Sequence, residues 1–166
     1  MRPQSEFPSS QCIVEVLNRQ KEVRFTVAKE SVADIVHAVL ENESEQAYCV
    51  CIHFLSDRAM RQYHRRFFQD SSSTDCMSFP IDQGTREGGF RHLGDVFVCP
   101  KTALLYSNNS ESLFLKEITL YVIHGMLHLL GYDDQDPKSR LQMRRQERSA
   151  LAYCRKRGIS LRGTIL

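Results

Sequence analysis

The 166-residue sequence contains no apolar run that approaches the roughly 18 residues of a membrane-spanning helix. It also lacks a hydrophobic segment behind a basic amino terminus, because its first ten residues are mostly polar and include Pro3 and Pro8. A secretory signal needs such a segment. We therefore expect a cytoplasmic protein without membrane contacts, in which residues 1–10 form a flexible amino-terminal arm.

No internal repeat and no linker divides the remaining sequence. Hydrophobic residues make up 42% and charged residues 25% of the chain, as in an ordinary globular protein. The length suits one domain with its own hydrophobic core. We expect residues 11–166 to form a single α+β domain, with a small mixed β-sheet of about four strands flanked by helices.

The six cysteines lack the paired spacing of a zinc ribbon. Cys49 and Cys51 point to the same face of a predicted strand, but no second pair follows at the required distance. Five of the six lie in or beside apolar stretches typical of strands, where a small thiol packs well. We expect reduced cysteines, as in cytosolic proteins.

Basic residues are concentrated at the carboxyl-terminal end. From Pro137 onward, nine basic residues minus one acidic residue, Glu147, give a net charge of +8. The first 136 residues carry 13 basic and 19 acidic residues, a net charge of −6. This asymmetry favours a polyanionic partner on one surface, although a solvated arginine-rich helix would produce the same pattern.

Hydrophobic periodicity and turn signals locate the secondary structure. Strands are predicted at residues 12–17, 23–27, 47–55, 76–79 and 93–99, and an exposed loop at 82–89. Helices are predicted over residues 57–68, 112–130 and 137–157, with two more that begin at a capping Ser31 and at Pro100.

The long apolar helix over residues 112–130 carries two histidines, His124 and His128, four positions apart. Side chains at this spacing project from the same face of a helix. Gly131 is suited to the left-handed conformation that ends a helix, and the turn directs Tyr132 and the two following aspartates towards the histidines. Two imidazoles and one returning oxygen would make a metal site with a position open to water. Histidines at this spacing also occur as core residues, so the motif by itself is a hypothesis.

The segment from His124 to Asp134, His-Gly-Met-Leu-His-Leu-Leu-Gly-Tyr-Asp-Asp, resembles the signature of the YbeY-type endoribonucleases, bacterial factors of ribosomal RNA maturation. Residues 74–80 (Thr-Asp-Cys-Met-Ser-Phe-Pro), 93–98 (Leu-Gly-Asp-Val-Phe-Val) and 60–64 (Met-Arg-Gln-Tyr-His) are similar to further segments of that family, so the resemblance covers about residues 58–135. It implies a zinc-dependent endoribonuclease with one Zn²⁺ per chain. It further implies a monomer that cuts single-stranded RNA, matures the 3′ end of small-subunit ribosomal RNA, and acts on ribosomal subunits in their quality control.

The third metal ligand departs from the family pattern. Family members usually place a third histidine ten residues after the first, and Asp134 stands there in this chain. The resemblance thus assigns His124, His128 and Asp134 as metal ligands, and a carboxylate is a competent ligand for zinc. Its negative charge should make a bound water less acidic and harder divalent ions better tolerated. We expect Asp133 or Asp136 to accept a hydrogen bond from the ring nitrogen of a ligand histidine that does not bind the metal.

The RNA-contacting residues depart from the pattern as well. The family often carries an arginine six residues before the position of Thr74, and this chain has Phe68 there. Arg65 or Arg66 could reach the same phosphate from the preceding turn. The hydroxyls of Thr74 and Ser78 could also donate to phosphate, although such hydroxyls more often bond to backbone. Further electrostatic contacts to RNA are expected from basic residues of the 57–68 helix and of the last helix, namely Arg58, Arg61, Arg140, Arg144 and Arg148.

Two other functions share part of this pattern. Zinc peptidases also use two helical histidines four apart, but they place a glutamate directly after the first as general base. Gly125 occupies that position here, which argues against a peptidase. A non-catalytic, ribosome-associated RNA-binding factor with a structural metal would use the same basic surfaces and stays open.

Overall fold

Residues 12–45, 48–81 and 91–166 are described by a computed structural model. The expected amino-terminal arm at 1–10 and the expected loop at 82–89 lie outside the described residues. In chain order the elements are β1 (Ile13–Asn18), β2 (Phe25–Val27), α1 (Lys29–Asn42), β3 (Tyr48–Phe54), α2 (Asp57–Phe68), β4 (Cys76–Pro80), β5 (Arg91–Val98), α3 (Pro100–Tyr106), α4 (Glu111–Leu129), α5 (Pro137–Lys156) and β6 (Gly163–Ile165).

The main sheet has four strands in the order β1-β3-β5-β4. β1, β3 and β5 are parallel, and β4 runs antiparallel to β5 at one edge. β2 and β6 form a separate antiparallel pair. The expectation of a single α+β domain built on a small mixed sheet with flanking helices is confirmed. The sequence did not predict β6, because three residues show no periodicity and this strand exists only through its pairing with β2.

The two faces of the sheet are covered by different helices. Val96 and Val98 of β5 belong to the main core, in which α4 packs on β4 and β5 and α1 packs on β1. Phe97 points to the opposite face, where it joins a smaller cluster around Met60 of α2 and Met77 of β4. The edge strand β4 therefore lies between α2 on one face and α4 on the other.

The amino-terminal end of α1 differs from the prediction. Ser31 does not cap this helix, which begins at Lys29, and the serine is buried in the first turn. Its hydroxyl donates to the carbonyl of Ala28 (2.7 Å) and accepts the amide of Arg162 (3.1 Å). The prediction was wrong because a distant segment, which connects to β6, uses this hydroxyl.

Helix α4 contacts the sheet closely at Gly125. A Cβ atom added there would lie 2.3 Å from Cγ1 of Val96 and 3.2 Å from Oγ of Ser78. The Ser78 hydroxyl donates to the Gly125 carbonyl over 2.8 Å, which closes the same contact. Within the described ranges, none of the helices, α4 included, is both long and apolar enough to cross a membrane.

The contact at Gly125 predicts the effect of adding one methyl group. Overpacking a dense core costs about 1–3 kcal/mol, of which the better helix propensity of alanine recovers at most about 1 kcal/mol. We expect Gly125→Ala to lower the free energy of unfolding, measured by urea denaturation. In a Val96→Ala background, which removes the opposing Cγ1, the loss caused by Gly125→Ala should shrink. Equal losses in the two backgrounds would show that this contact is not the cause.

Candidate metal centre

Helix α4 ends in a glycine turn that brings the chain back towards its own histidines. Gly131 has a φ of +98°. Its amide donates to the carbonyl of His128 (3.0 Å), and the amide of Tyr132 donates to the carbonyl of Leu127 (3.1 Å). This pair of hydrogen bonds is the Schellman arrangement of helix ends. The predicted helix stop at Gly131 is confirmed.

The turn places Asp134 beside the two histidines. The Nε2 atoms of His124 and His128 are 3.0 Å apart. Oδ2 of Asp134 lies 3.4 Å from Nε2 of His124 and 3.7 Å from Nε2 of His128. The side chains of His124, His128 and Asp134 are 20%, 26% and 38% exposed, so a ligand in solution can reach the atoms between them. The structure thus brings together the three residues that the sequence assigned to a metal.

The opposite ring nitrogens of both histidines are held by hydrogen bonds. Nδ1 of His128 lies 3.0 Å from the carbonyl oxygen of Tyr132, and Nδ1 of His124 lies 2.6 Å from Oε1 of Glu147. A carbonyl oxygen only accepts, so Nδ1 of His128 carries the proton and its Nε2 presents a lone pair. The Glu147 carboxylate favours the same tautomer of His124. In the neutral imidazoles, both Nε2 lone pairs are therefore available to an ion that lies between the two rings and Asp134.

Three acceptor atoms that converge in this way repel one another unless a cation or a proton lies among them. Burial lowers the pKa of His124, but the hydrogen bond and charge of Glu147, followed by the charges of Asp134 and Asp75, outweigh burial and raise the pKa above its ordinary value. Ligands 2.0–2.1 Å from a tetrahedral zinc ion are about 3.3–3.4 Å apart. The observed separations of 3.0, 3.4 and 3.7 Å bracket that distance, so the residues suit such an ion.

Neither Asp133 nor Asp136 holds a ligand imidazole, contrary to the expectation. Oδ1 of Asp133 accepts the amide of Asp134 (2.8 Å) and shapes the turn. Asp136 caps α5, where its Oδ1 accepts the amides of Lys138 (2.9 Å) and Ser139 (3.0 Å). Both carboxylates accept backbone amides next to them in sequence. His124 is instead bonded to a carboxylate from another helix, that of Glu147.

Glu147 is the functional residue that the sequence reasoning missed. It is one helical turn from Met143 and Ala150, both buried, on the inner face of α5. Its side chain is only 17% exposed. A carboxylate on a buried stripe needs a partner, and Glu147 is the one acidic residue in an otherwise basic segment. These two features of the sequence are the ones that could have identified Glu147.

A cleft of about 370 Å³ lies between the centre and α5, and we call it the α5 cleft. Arg140 and Arg144 line it together with Asp75, Tyr121 and His124. The guanidinium of Arg140 donates to the carbonyls of Asp134 (3.2 Å) and Gln135 (3.3 Å), so it also supports the turn. Arg148, the third arginine predicted to contact RNA from this helix, is exposed and is not among the residues that line the cleft.

A second cleft of about 320 Å³ lies on the other side of the centre, and we call it the α2 cleft. His64 and Phe68 of α2 form one wall, and β4 lies along it with residues 76–78 and Pro80. His128 and residues 133–135 form the opposite wall. Asp134 lines both clefts, so the centre lies between them.

The predicted cations of α2 do not line either cleft. Arg61 pairs with Asp57 over 2.8 Å and donates to the carbonyl of Ser71. The guanidinium of Arg66 lies 5.5 Å from the ring centroid of Phe67. Arg58 and Arg65 are exposed on the helix surface. Their proposed roles at RNA stay predictions that depend on contacts outside the two clefts.

The two hydroxyls considered as phosphate donors are used by the backbone. Thr74 Oγ1 donates to the carbonyl of Cys76 (3.2 Å), and Ser78 Oγ donates to the carbonyl of Gly125 (2.8 Å). They hold β4 in place and join it to α4.

A second group of metal-type side chains, Cys51, His53 and Asp95, lies on the face of the sheet away from α4. Nε2 of His53 is 2.8 Å from Oδ1 of Asp95, so these two groups satisfy each other. Burial, followed by the charges of Asp95 and Glu15, raises the pKa of the Cys51 thiol to about 11. The thiol is therefore neutral at ordinary pH.

Comparison with known proteins identifies the family. The family model described as endoribonuclease YbeY matches residues 15–155. The endoribonuclease YbeY of Protochlamydia amoebophila (strain UWE25) is 34% identical over 144 residues, which cover 87% of this chain and 94% of that protein. The endoribonuclease YbeY of Chlamydia felis (strain Fe/C-56) is 38% identical over 146 residues, or 86% and 90% of the two chains. The chain belongs to the endoribonuclease YbeY family, and the resemblance seen in the sequence is confirmed.

A solved structure shares the fold. The solution structure of TM1509 from Thermotoga maritima aligns with a TM-score of 0.51 at 19% identity, over 87% of this chain and 93% of that one. At this identity the likeness concerns the fold alone.

The position of Asp134 predicts how metal binding responds to its removal. We expect Asp134→Ala to reduce zinc affinity by more than the roughly 10–100-fold typical for losing an outer hydrogen-bond partner, because a ligand atom itself disappears. Asp133→Ala is the matched control, since its carboxylate points into the turn. Metal analysis after dialysis and chelator competition measure the effect. Unchanged stoichiometry and affinity in Asp134→Ala would show that this carboxylate is not a ligand.

The contact of Glu147 with His124 predicts a smaller effect. Glu147→Ala should lower zinc affinity about 10–100-fold, because His124 loses the group that orients its ring and favours its Nδ1 tautomer. Glu147→Gln should lose less, because the amide oxygen still accepts from Nδ1. Glu41→Ala serves as control, since Glu41 accepts the Tyr153 hydroxyl on the exposed side of α1. Equal affinities of parent and Glu147→Ala in chelator competition would contradict this role.

Proposed function

We propose that this protein is a zinc-dependent endoribonuclease that cuts single-stranded RNA. It acts in the maturation of ribosomal RNA, at the 3′ end of the small-subunit RNA, and in ribosome quality control. The observation that carries the proposal is the convergence of Nε2 of His124, Nε2 of His128 and Oδ2 of Asp134 between two open clefts. Membership of the endoribonuclease YbeY family supports RNA as the substrate.

One Zn²⁺ per chain would be held by His124, His128 and Asp134. When bound, it supplies Lewis-acid chemistry, which polarises a phosphoryl oxygen and lowers the pKa of water. Asp134 contributes a negative charge where the family usually has a neutral imidazole, so the centre is less positive. We infer that harder divalent cations are better tolerated here than in a three-histidine centre.

Three further side chains would support the metal centre and bind the RNA. Glu147 holds the His124 ring through Nδ1 and keeps its Nε2 lone pair directed at the centre. Arg144 faces the α5 cleft, where its guanidinium can bind a phosphate of the RNA backbone. Arg140 braces the turn that carries Asp134 and adds a second positive charge to the same cleft.

The geometry weighs against the two alternatives. A zinc peptidase would need a base at position 125. That position faces Val96 of the sheet, so a side chain there would enter the core rather than the metal centre. A purely structural zinc site is closed by four protein ligands, whereas the described residues supply three at this centre. The proposal places the protein in the cytoplasm, as a monomer that acts on ribosomal RNA or ribosomal subunits.

Cleavage of RNA by the zinc-loaded protein tests the proposal. We expect the parent to cut a single-stranded oligoribonucleotide and to leave the corresponding duplex uncut, and we expect His128→Ala to abolish cleavage. The variant should stay folded, as judged by circular dichroism, because the His128 side chain is partly exposed. His92→Ala, at an exposed position of β5, is the matched control and should cut normally.

Two outcomes would count against this activity. Cleavage by His128→Ala at the rate of the parent would assign the activity to a contaminant or to another site. A parent that binds zinc and RNA without cutting would favour the non-catalytic RNA-binding factor.

A further inference from the structure

The α2 cleft has an aromatic wall that faces the candidate metal centre. The Phe68 side chain is 54% exposed, although it is fully apolar. His64, one helical turn earlier, has its ring centroid 5.4 Å from that of Phe68. Across the cleft lie His128 and Asp134 of the centre. An exposed aromatic ring that lines such a cleft indicates a binding surface.

Both rings are held in place by the surrounding chain. Nδ1 of His64 donates to the carbonyl of Ser72 over 3.1 Å, which orients the imidazole. Phe68 contacts Phe79 of β4, with ring centroids 6.2 Å apart. Gln69 follows in the left-handed conformation (φ 56°) and ends α2 directly after Phe68. The rings are thus preorganised, which reduces the entropy lost when a planar ligand binds.

The two clefts differ in whether they contain a cationic side chain that can bind a phosphate. Among the described residues that line the α2 cleft, Asp133 and Asp134 are acidic and none is a lysine or arginine. The α5 cleft also has carboxylates, Asp75, Asp134 and Glu147, but it contains the guanidinium groups of Arg140 and Arg144 beside them. A phosphate can therefore pair with a guanidinium group in the α5 cleft but finds no Lys or Arg among the described residues of the α2 cleft, while an uncharged heterocycle is accepted beside Phe68.

We propose that the α2 cleft is a nucleobase subsite, in which one unpaired base next to the cleaved phosphodiester stacks on Phe68. The inference rests on the proposed endoribonuclease function and adds the part of the substrate that this cleft recognises. A base that is paired within a duplex cannot enter the cleft, so the subsite contributes to selection of single strands. Stacking on an aromatic side chain tolerates every base, so the expected sequence preference is weak.

The neighbouring residue Phe67 supplies a matched control. Its side chain is 52% exposed, nearly the same as that of Phe68. Its ring packs against Tyr63 and Phe79 and does not line the α2 cleft. Phe67→Ala and Phe68→Ala therefore remove the same exposed apolar group from adjacent positions, but only the second empties the cleft wall.

The test uses a single-stranded RNA with one mapped cleavage site and versions with an abasic ribose at each flanking nucleotide. With the zinc-loaded protein, Phe68→Ala should lower kcat/KM on the intact RNA about 5–160-fold, the range expected for one stacked base. Phe67→Ala should lower it little, and Phe68→Trp should restore it. Removing the base at one of these positions should lower kcat/KM of the parent by a similar factor. The same abasic RNA should lower kcat/KM of Phe68→Ala hardly at all. Equal effects of the two alanine variants, or equal abasic losses in parent and Phe68→Ala, would overturn the subsite.

Binding measurements separate this inference from the activity on which it rests. Fluorescence anisotropy gives the affinity of the same intact and abasic RNAs for the parent and both alanine variants, whether or not the RNA is cut. The parent could fail to cut RNA and yet bind the abasic RNA more weakly than the intact RNA, with this difference absent in Phe68→Ala alone. That result would support the subsite and contradict the nuclease activity. Cleavage could occur while the loss of affinity caused by the abasic position is the same in the parent and in Phe68→Ala. That result would support the nuclease activity and contradict the subsite.

Discussion

The close contact of α4 with the sheet at Gly125 sets the position of everything around the candidate centre. With no side chain at this position, the helix lies directly against Val96 and Ser78. His124 and His128 lie on either side of this contact in sequence, and their rings face α5 and the turn instead of the sheet. Close-packed interiors transmit such constraints, because a shift of the helix would move both histidines relative to their partners.

Electrostatics explains why the partners of the histidines matter as much as the histidines themselves. The carbonyl of Tyr132 and the carboxylate of Glu147 each bind an Nδ1 atom, so the Nε2 lone pairs of the neutral imidazoles are left for an ion beside Asp134. The centre thus gathers acceptor atoms that a cation stabilises. Two carboxylates, one a direct neighbour of the Nε2 atoms and one behind His124, surround the imidazoles with negative charge. A family member with a third histidine would lack one of them.

The candidate centre lies between two clefts with unlike linings. The α5 cleft contains two guanidinium groups because successive turns of α5 place Arg140 and Arg144 there. The α2 cleft is aromatic because α2 ends at Phe68, at the edge of the sheet where β4 separates α2 from α4. The proposed subsite therefore puts backbone phosphates and bases on different sides of the centre. Where the family often has an arginine, this chain has Phe68, and the proposed subsite uses stacking at that position in place of charge.

Several features were determined by the sequence alone because they depend on neighbours within a few residues. The spacing of His124 and His128 along one helix, the glycine stop at Gly131 and the start of α5 behind Asp136 are of this kind, and all three are present in the structure. The set His124, His128 and Asp134 also followed from local register together with the family resemblance. Only the tertiary structure decided that Glu147, 23 residues from His124, orients that histidine in place of Asp133 or Asp136. It also decided that Ser31 bonds to Arg162, 131 residues away, and that Gly125 faces the sheet. These contacts join segments that no short-range pattern relates, because their distance in space is set by how the helices pack on the sheet and not by their spacing along the chain.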